Sequence, residues 1–511
     1  MEKITTRFAP SPTGYLHIGH LRTALYGSLF AQQNGGVFIL RIEDTDQTRE
    51  VEGATEAIVK ALGDAGILYH EGLFLSSGKL VEKGKRGPYV QSKRTHIYKE
   101  YAHKLVELGG AYFCFCTKDR IEALKKSDPF AKYDKHCLGL DISGAKDKVS
   151  TGEPYVIRQN VVQDGIASEY DDLLFGKVSV PKHEIEDGVM LKADGFPTYN
   201  FANVVDDHLM SVTHVIRGVE YLSSTPKFNL LYDAFKWKRP TYIHLQPIMK
   251  DERKKLSKRD GAATFEDFIA AGYLKDAIIN YVALLGWSPK DNKEKLSFAE
   301  LQALFSLKGL SKSPSIFDAD KLKWLNSLYI KELSESDFLK IAQPFLEKSK
   351  PYAKLSKGVY NKKALPAILQ KRLDTLADIP TLINFIEEFG AFDTNLFKNE
   401  KMKTTPGIAK DIIQKALPLL SKTDAKGFTA QNLGEALKPL TSANKGSKMD
   451  IKGGAEVEAQ GVVYKAGQVY STLRLALSSK EASAGGALEL AEVLGKDESL
   501  KRLEFTLGLL T

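Results

Sequence analysis

Cysteine is scarce. The chain of 511 residues has three, Cys114, Cys116 and Cys137. An odd, small number in so long a chain argues against a disulfide framework and for a reducing compartment. Their spacing opens like a zinc site, but a structural site needs four ligands. Two positions past Cys137 stands Gly139, which cannot ligate, and His136 is awkwardly adjacent, so no metal site and no bound zinc are expected. No apolar run approaches the ~20 residues of a membrane span, and no membrane partner is expected. A strand-like segment begins at residue 5, which leaves no room for a leader. A cytoplasmic location is expected, or a mitochondrial matrix if a transit peptide has been trimmed.

Two nucleotide signatures are also missing. The first loop is not G-x-G-x-x-G, which argues against a dinucleotide-binding enzyme. The nearest approach to a P-loop, Gly78 to Gly84-Lys85, has five intervening residues rather than four, and Arg86 replaces the Ser or Thr. No internal repeat or low-complexity tract is present, which sets solenoids and disordered scaffolds aside.

What is present reads as an ordinary globular chain of three or four domains, at roughly 150 residues each. The formal net charge is +8, compatible with a polyanionic partner. Six basic residues stand against the single acid Glu82 between positions 79 and 94. They read as a phosphate-contacting rim or as a charged loop.

The first hundred residues alternate strand and helix: a strand at 5–8, a helix at 19–33 stopped by Gly35-Gly36, a buried strand at 37–42 and a helix near 50–65. This is the grammar of a doubly wound parallel sheet. Another helix runs over 95–108. From about 111 to 195 short strands and charged helices read as an inserted α+β module. The sheet pattern is expected to resume with strands at 197–203 and 214–217, followed by a helix at 226–236. Beyond about 265 nearly everything is helical in pattern.

Two segments carry chemistry. The stretch RFAPSPTGYLHIGH, residues 7–20, places His17 and His20 around Gly19 at a helix start. Such a start offers unpaired N–H groups and a partial positive charge, suited to a polyphosphate. Imidazole donors there can stabilise charge developing at phosphorus; the plainer alternative is two histidines flanking a helix cap. Far downstream, KKLSKRDG, residues 254–261, puts four cations and a Ser in one short loop.

Together these two segments match the ATP motifs of class I aminoacyl-tRNA synthetases. The resemblance extends through RIEDTD (41–46), GPYVQSKR (87–94), PTYNFANVVDDHLMSVTHVIRG (197–218), STPKFNLLYDAFKW (224–237), NYVALLGWSP (280–289) and IFDADKLKWLN (316–326). Over residues 4–330, and more weakly beyond, the chain resembles bacterial-type glutamyl-tRNA synthetases.

That resemblance implies a Rossmann-like α/β catalytic domain with an α+β insertion and an all-α C-terminal half. The expected boundaries are 1–93 and 196–250 for the catalytic halves, 94–195 for an acceptor-binding module, 251–330 for a stem-contact domain and 331–511 for an anticodon-binding region. It implies a ligase that activates L-glutamate with ATP and Mg²⁺, then charges tRNA-Glu, with tRNA-Gln left open. A monomer is expected. Arg7, Ala9, Ser11, Glu43, Tyr199, Asn203 and Arg217 would hold glutamate. His17, Gly19, His20, Glu220, Lys255, Ser257 and Lys258 would hold ATP, with His17, His20 and Lys258 catalytic. Arg372 would contact tRNA. Asp206 and Asp207 are expected to cap and orient a loop rather than bind metal. A glutaminyl-tRNA synthetase would carry a C-terminal β-barrel instead, and a non-catalytic RNA-binding relative would not need intact His17, His20, Glu43 and Lys258.

Overall fold

The computed structural model describes residues 3–127, 132–256, 264–441, 464–481 and 483–511. The chain divides into two compact units: residues 1–269 with 275–319, and residues 270–274 with 320–511.

The first unit begins with β1 (Thr5–Phe8), α1 (Ile18–Gln33) and β2 (Val37–Leu40), and β1 pairs with β2 in parallel. All four β2 residues, VFIL, are buried, as an apolar run inside a covered parallel sheet must be. Gly27 lets α1 lie close on this strand: a Cβ there would stand 2.9 Å from the Phe38 ring. After α2 (Ala54–Asp64) comes an antiparallel hairpin, β3 (Gly72–Ser76) and β4 (Lys79–Lys83), then α3 (Thr95–Glu107).

The next segment changes character, as its sequence does. β5 (Ala111–Cys114), β6 (Val156–Gln159) and β9 (Val189–Leu191) form an antiparallel sheet with β6 in the centre. Helices α4 (Lys118–Ser127) and α5 (Ile142–Ser150) lie between β5 and β6. The hairpin of β7 (Ala167–Asp172) and β8 (Gly176–Pro181) leaves that sheet and joins the parallel one through Tyr242 opposite Asp172.

The chain returns with α6 (Tyr199–Leu209), β10 (His214–Gly218), α7 (Thr225–Ala234) and β11 (Thr241–Leu245). β10 pairs with β11 in parallel. It also adjoins β1, where the Thr213 N–H donates to the Thr5 carbonyl. The C-terminal ends of β1, β2 and β10 therefore lie side by side, where open α/β sheets place their ligands. One expectation fails here. Residues 199–203 are helical, not a strand. The aromatic–polar alternation of Tyr199, Asn200 and Phe201 is short, and the helical spacing appears only when the segment is followed on through Phe201, Val204, Val205 and Leu209.

The second unit is helical among its described residues. Its core runs through Ile412, Leu473, Leu477, Leu490 and Leu503 on the helices Pro406–Ser421, Ala466–Ser478, Ala487–Leu494 and Lys496–Leu509.

Candidate active site

One cavity of about 440 Å³ opens at the C-terminal ends of β1 and β10. Arg7, Ala9, Ser11, His20, Glu43, Tyr199, Arg217 and Glu220 all line it, although 213 positions separate the first from the last. The sheet brings them together: Arg7 is the last residue but one of β1, Glu43 follows β2, Arg217 is the last but one of β10, and His20 stands in the first turn of α1.

His17 and His20 do not occupy equivalent places. His17 is the N-cap of α1: its Nδ1 accepts from the Gly19 N–H at 3.0 Å. His20 is exposed and faces the cavity, its ring centroid 6.5 Å from that of His17. Asn203 is buried behind the wall, its amide donating to the Tyr199 carbonyl at 2.7 Å. Lys255 is exposed and bridges Met249. Ser257 and Lys258 lie outside the described residues. Thr264, just after that gap, forms a bridge with His17. Glu220 folds back over Gly218, where a Cβ would stand 2.2 Å from its carboxyl group. Arg372 belongs to the other unit, where its Nη1 donates to the Ser483 carbonyl at 2.9 Å.

Asp206 and Asp207 correct an expectation. They sit in the last turns of α6, buried, and cap no loop. Asp207 takes Arg7 Nε at 3.1 Å and Arg41 Nη2 at 2.7 Å. Asp206 takes Arg94 Nε at 2.7 Å, Gln91 at 2.9 Å and the Tyr98 hydroxyl at 2.8 Å. Arg41 also reaches Glu43 Oε1 at 3.0 Å. Three buried guanidiniums thus face three buried carboxylates, a balance that burial of charge requires. Both aspartates are committed to protein donors. No pairing of Arg41 or Arg94 is legible in the sequence, since their Asp207 and Asp206 partners lie 166 and 112 positions away, and Arg94, counted in the basic run at 79–94, is buried on Asp206 rather than on a phosphate-contacting rim.

This network sets the electrostatics of the cavity. Burial works against the Asp207 carboxylate, but Arg7 and Arg41 hold it below the usual range. Burial pushes the Glu43 carboxyl up to about 7, with Arg41 and Arg7 opposing. Arg7 turns its Nε to Asp207 and its Nη1 only to the Ile216 carbonyl at 3.5 Å. The Nε edge is therefore spoken for by Asp207, while the residue also lines the cavity. Arg217 is also buried, at 6% exposure, and among the described residues pairs with no carboxylate. The cavity thus brings the guanidiniums of Arg7 and Arg217 beside the carboxyl group of Glu43.

The three thiols do come together, their ligand atoms within 4.8 Å of one another. His136 is not among them. The Tyr133 hydroxyl stands 3.3 Å from both Cys114 and Cys116, and Arg158 Nε donates to Cys114 at 3.3 Å. Three thiols remain one ligand short of a structural zinc site and do not by themselves establish one.

A parallel sheet with this cavity at its strand ends, capped by a helix start bearing HxGH, defines a class I aminoacyl-tRNA synthetase catalytic domain. Residues 3–324 match the family of class I tRNA synthetases (E and Q), catalytic domain, and residues 337–507 match the anticodon binding domain family. The chain is 46% identical to the glutamate–tRNA ligase of Clostridium kluyveri, over 99% of this chain and 98% of that one. It is also 46% identical to that of Clostridium botulinum strain Eklund 17B, over 100% and 99%. Its fold superposes on a glutamate tRNA ligase from Elizabethkingia meningosepticum, solved in complex with its amino acid, with TM-score 0.83, 32% identity and full coverage of both chains. The glutamate–tRNA synthetase of Elizabethkingia anophelis gives TM-score 0.82 at 32% identity, over 99% of this chain and all of that one. The chain belongs to the glutamate–tRNA ligase family.

Proposed function

We propose that the protein activates L-glutamate with ATP and transfers it to the 3′ end of tRNA-Glu. The observation that carries this reading is the pairing of two cavity-facing arginines, Arg7 and Arg217, with Glu43. Arg7 takes the γ-carboxylate and Arg217 the α-carboxylate, since a guanidinium fork suits a planar carboxylate. Glu43 takes the α-ammonium. Tyr199 closes the pocket wall, with Asn203 bracing it from behind, and Ala9 and Ser11 complete the floor.

ATP binds at the start of α1. Gly19 leaves room for a phosphate against the helix N-terminus, His20 donates to it, and His17 holds the turn. Lys255, Ser257 and Lys258 close on the leaving pyrophosphate, and Glu220 reaches the nucleoside side. Mg²⁺ arrives with ATP. The α-carboxylate attacks the α-phosphorus in line and expels pyrophosphate. The ribose hydroxyl of tRNA then attacks the adenylate carbonyl, and AMP leaves. Catalysis here is positioning plus charge stabilisation. Residues 94–195 hold the acceptor end. The region from 331 reads the anticodon, with Arg372 as one contact. No helix among the described residues is long and apolar enough to cross a membrane, and the proposed setting is a monomer in the cytoplasm.

Charging purified tRNA-Glu and tRNA-Gln side by side with labelled glutamate and glutamine tests the reading. Glutamate on tRNA-Glu is the expected product. Glutamine charging would overturn it, and glutamate on tRNA-Gln would widen the tRNA specificity. Arg7→Ala should raise the glutamate KM steeply and leave the ATP KM nearly unchanged.

A further inference from the structure

Arg217 is a buried arginine with no carboxylate of its own among the described residues. Something else must fix its guanidinium. Its Nε donates to His244 Nε2 at 3.1 Å, and its Nη2 donates to the Thr225 hydroxyl at 2.5 Å. The Thr225 hydroxyl in turn donates to the Tyr221 carbonyl at 2.7 Å. The rings of Phe228, Tyr221 and Tyr242 surround the guanidinium, with centroids 4.9, 5.0 and 5.4 Å from Cζ.

His244 is completely buried, in the last part of β11. Its Nδ1 stands 2.7 Å from Asp172 Oδ2 at the end of β7, and Asp172 is likewise buried. The other Asp172 oxygen accepts the backbone N–H groups of Leu174 and Phe175, both at 2.9 Å, and Oδ2 also takes the His244 N–H at 3.1 Å. An acceptor-only carboxylate so anchored requires a hydrogen on Nδ1. That leaves Nε2 as a lone pair, which is what the Arg217 Nε–H needs. Burial pushes His244 below the ordinary imidazole range; Asp172 opposes this, and Arg217 adds to it. The ring therefore stays neutral at pH 7. A protonated ring would aim a second donor at Arg217.

We infer that Asp172 and His244 are positioning residues for amino-acid recognition: Asp172 fixes the His244 tautomer, and neutral His244 holds Arg217 with its free edge toward the α-carboxylate of the substrate. The cavity then has two arginines braced from behind in different ways. Asp207 braces Arg7 directly with a charge. Asp172 braces Arg217 through a neutral imidazole, so the Arg217 charge stays uncompensated until a carboxylate enters. A direct carboxylate partner would compete with the substrate. The imidazole spacer fixes geometry without neutralising the cation.

This inference rests on the reading of Arg217 as the α-carboxylate partner, and its test keeps the two separable. Full-length enzyme with tRNA is assayed for glutamate and ATP KM and for kcat in Arg217→Ala, His244→Ala, His244→Gln and Asp172→Asn. Arg217→Ala should raise the glutamate KM by on the order of 100-fold, as loss of a charge-assisted pair does. His244→Ala should raise it roughly tenfold, with the ATP KM within about twofold. His244→Gln should recover most of that loss, because its amide oxygen offers an acceptor to Arg217. Asp172→Asn keeps the shape but turns a donor toward Nδ1, forcing the hydrogen onto Nε2. It should raise the glutamate KM as His244→Ala does. An unchanged glutamate KM in His244→Ala and Asp172→Asn, with a raised one in Arg217→Ala, overturns the positioning role alone. An unchanged glutamate KM in Arg217→Ala overturns the carboxylate reading itself. Equal losses in the glutamate, ATP and tRNA constants of the His244 and Asp172 variants would show a merely structural role. If His244→Ala does not fold, Asp172→Asn against His244→Gln decides by the same criteria.

Discussion

Glu43 is a brace for Arg41 and, in the proposed function, the group that recognises the substrate ammonium. It anchors Arg41 from within the protein, and its carboxylate borders the cavity. Burial lifts its titration to about 7, so the charged form that pairs with an α-ammonium is lost as pH falls through that value. The substrate γ-carboxyl, with a reference near ~4.3, stays ionised over the same range. The glutamate KM should therefore be flat above about pH 7.5 and rise below about 7, while the ATP KM holds. Glu43→Gln should remove that limb and leave the KM high throughout. A wild-type glutamate KM independent of pH between 6 and 8 would sink the role of Glu43. The two histidines at the start of α1 separate at this scale as well. His17 spends Nδ1 on the cap, so His17→Ala loses about 1 kcal/mol of stability from that bond. His20 faces the cavity with no place in the cap, so His20→Ala should slow activation by on the order of 10²–10³. Single-turnover formation of glutamyl-adenylate, measured beside thermal melting, checks both. Transfer from preformed adenylate should suffer far less in His20→Ala, since no phosphorus is attacked there. Equal small effects on the two steps would exclude phosphate stabilisation by His20.

Among the elements, the last helix of the second unit is pinned by one side chain. Arg502 is 1% exposed and donates to the Phe385, Leu477 and Ile386 carbonyls, each at 2.8 Å, and to Glu498 at 2.8 Å. Its guanidinium also lies 4.3 Å from the Phe389 ring centroid. These carbonyls belong to segments whose regular pairing has ended, and a planar five-donor group satisfies all three at once. Arg502→Met keeps the stem and strands the carbonyls, at about 1–3 kcal/mol for each buried unsatisfied group. Thermal denaturation should show a loss of several kcal/mol in the helical unit, with glutamyl-adenylate kinetics at low temperature close to wild type. A melting curve superimposable on wild type would contradict this. Elements also show where the sequence could be read. VFIL at β2 and the His17–Gly19 start of α1 stand where local pattern puts them. The 199–203 strand does not, because five residues are too few to show the helical spacing that Phe201, Val204, Val205 and Leu209 make together in α6. Asp206 and Asp207 are structural, as their sequence context suggests, but not as a loop cap. Adjacent acids in isolation look like a cap, and only the fold reveals Arg7 and Arg41 some 200 and 166 positions away. His244 carried no motif at all. Its meaning comes from standing between two strand ends that the chain brings together late.

At the scale of the whole molecule, two compact units match two different families, a catalytic one over 3–324 and an anticodon-binding one over 337–507. A small amino acid is read inside one cavity, whereas a tRNA must be met over a wide surface. The chain has a net charge of +8, and the buried network behind the cavity sets three guanidiniums against three carboxylates. The two kinds of recognition should therefore respond differently to salt. Surface phosphate contacts are made at the expense of counterions, and affinity falls linearly in log salt with a slope set by the number of contacts. Buried pairs are screened much less. Raising KCl from 50 to 200 mM should increase the tRNA KM by on the order of tenfold or more, with the glutamate KM changing by less than about twofold. Because Arg372 lies in the anticodon-binding unit, Arg372→Ala should lower the slope of log KM for tRNA against log salt by about one contact if it meets a phosphate. It should leave the slope intact if it reads a base. A tRNA KM indifferent to salt in the wild-type protein would mean that the basic excess takes no part in binding, and that tRNA is held by base contacts and shape alone.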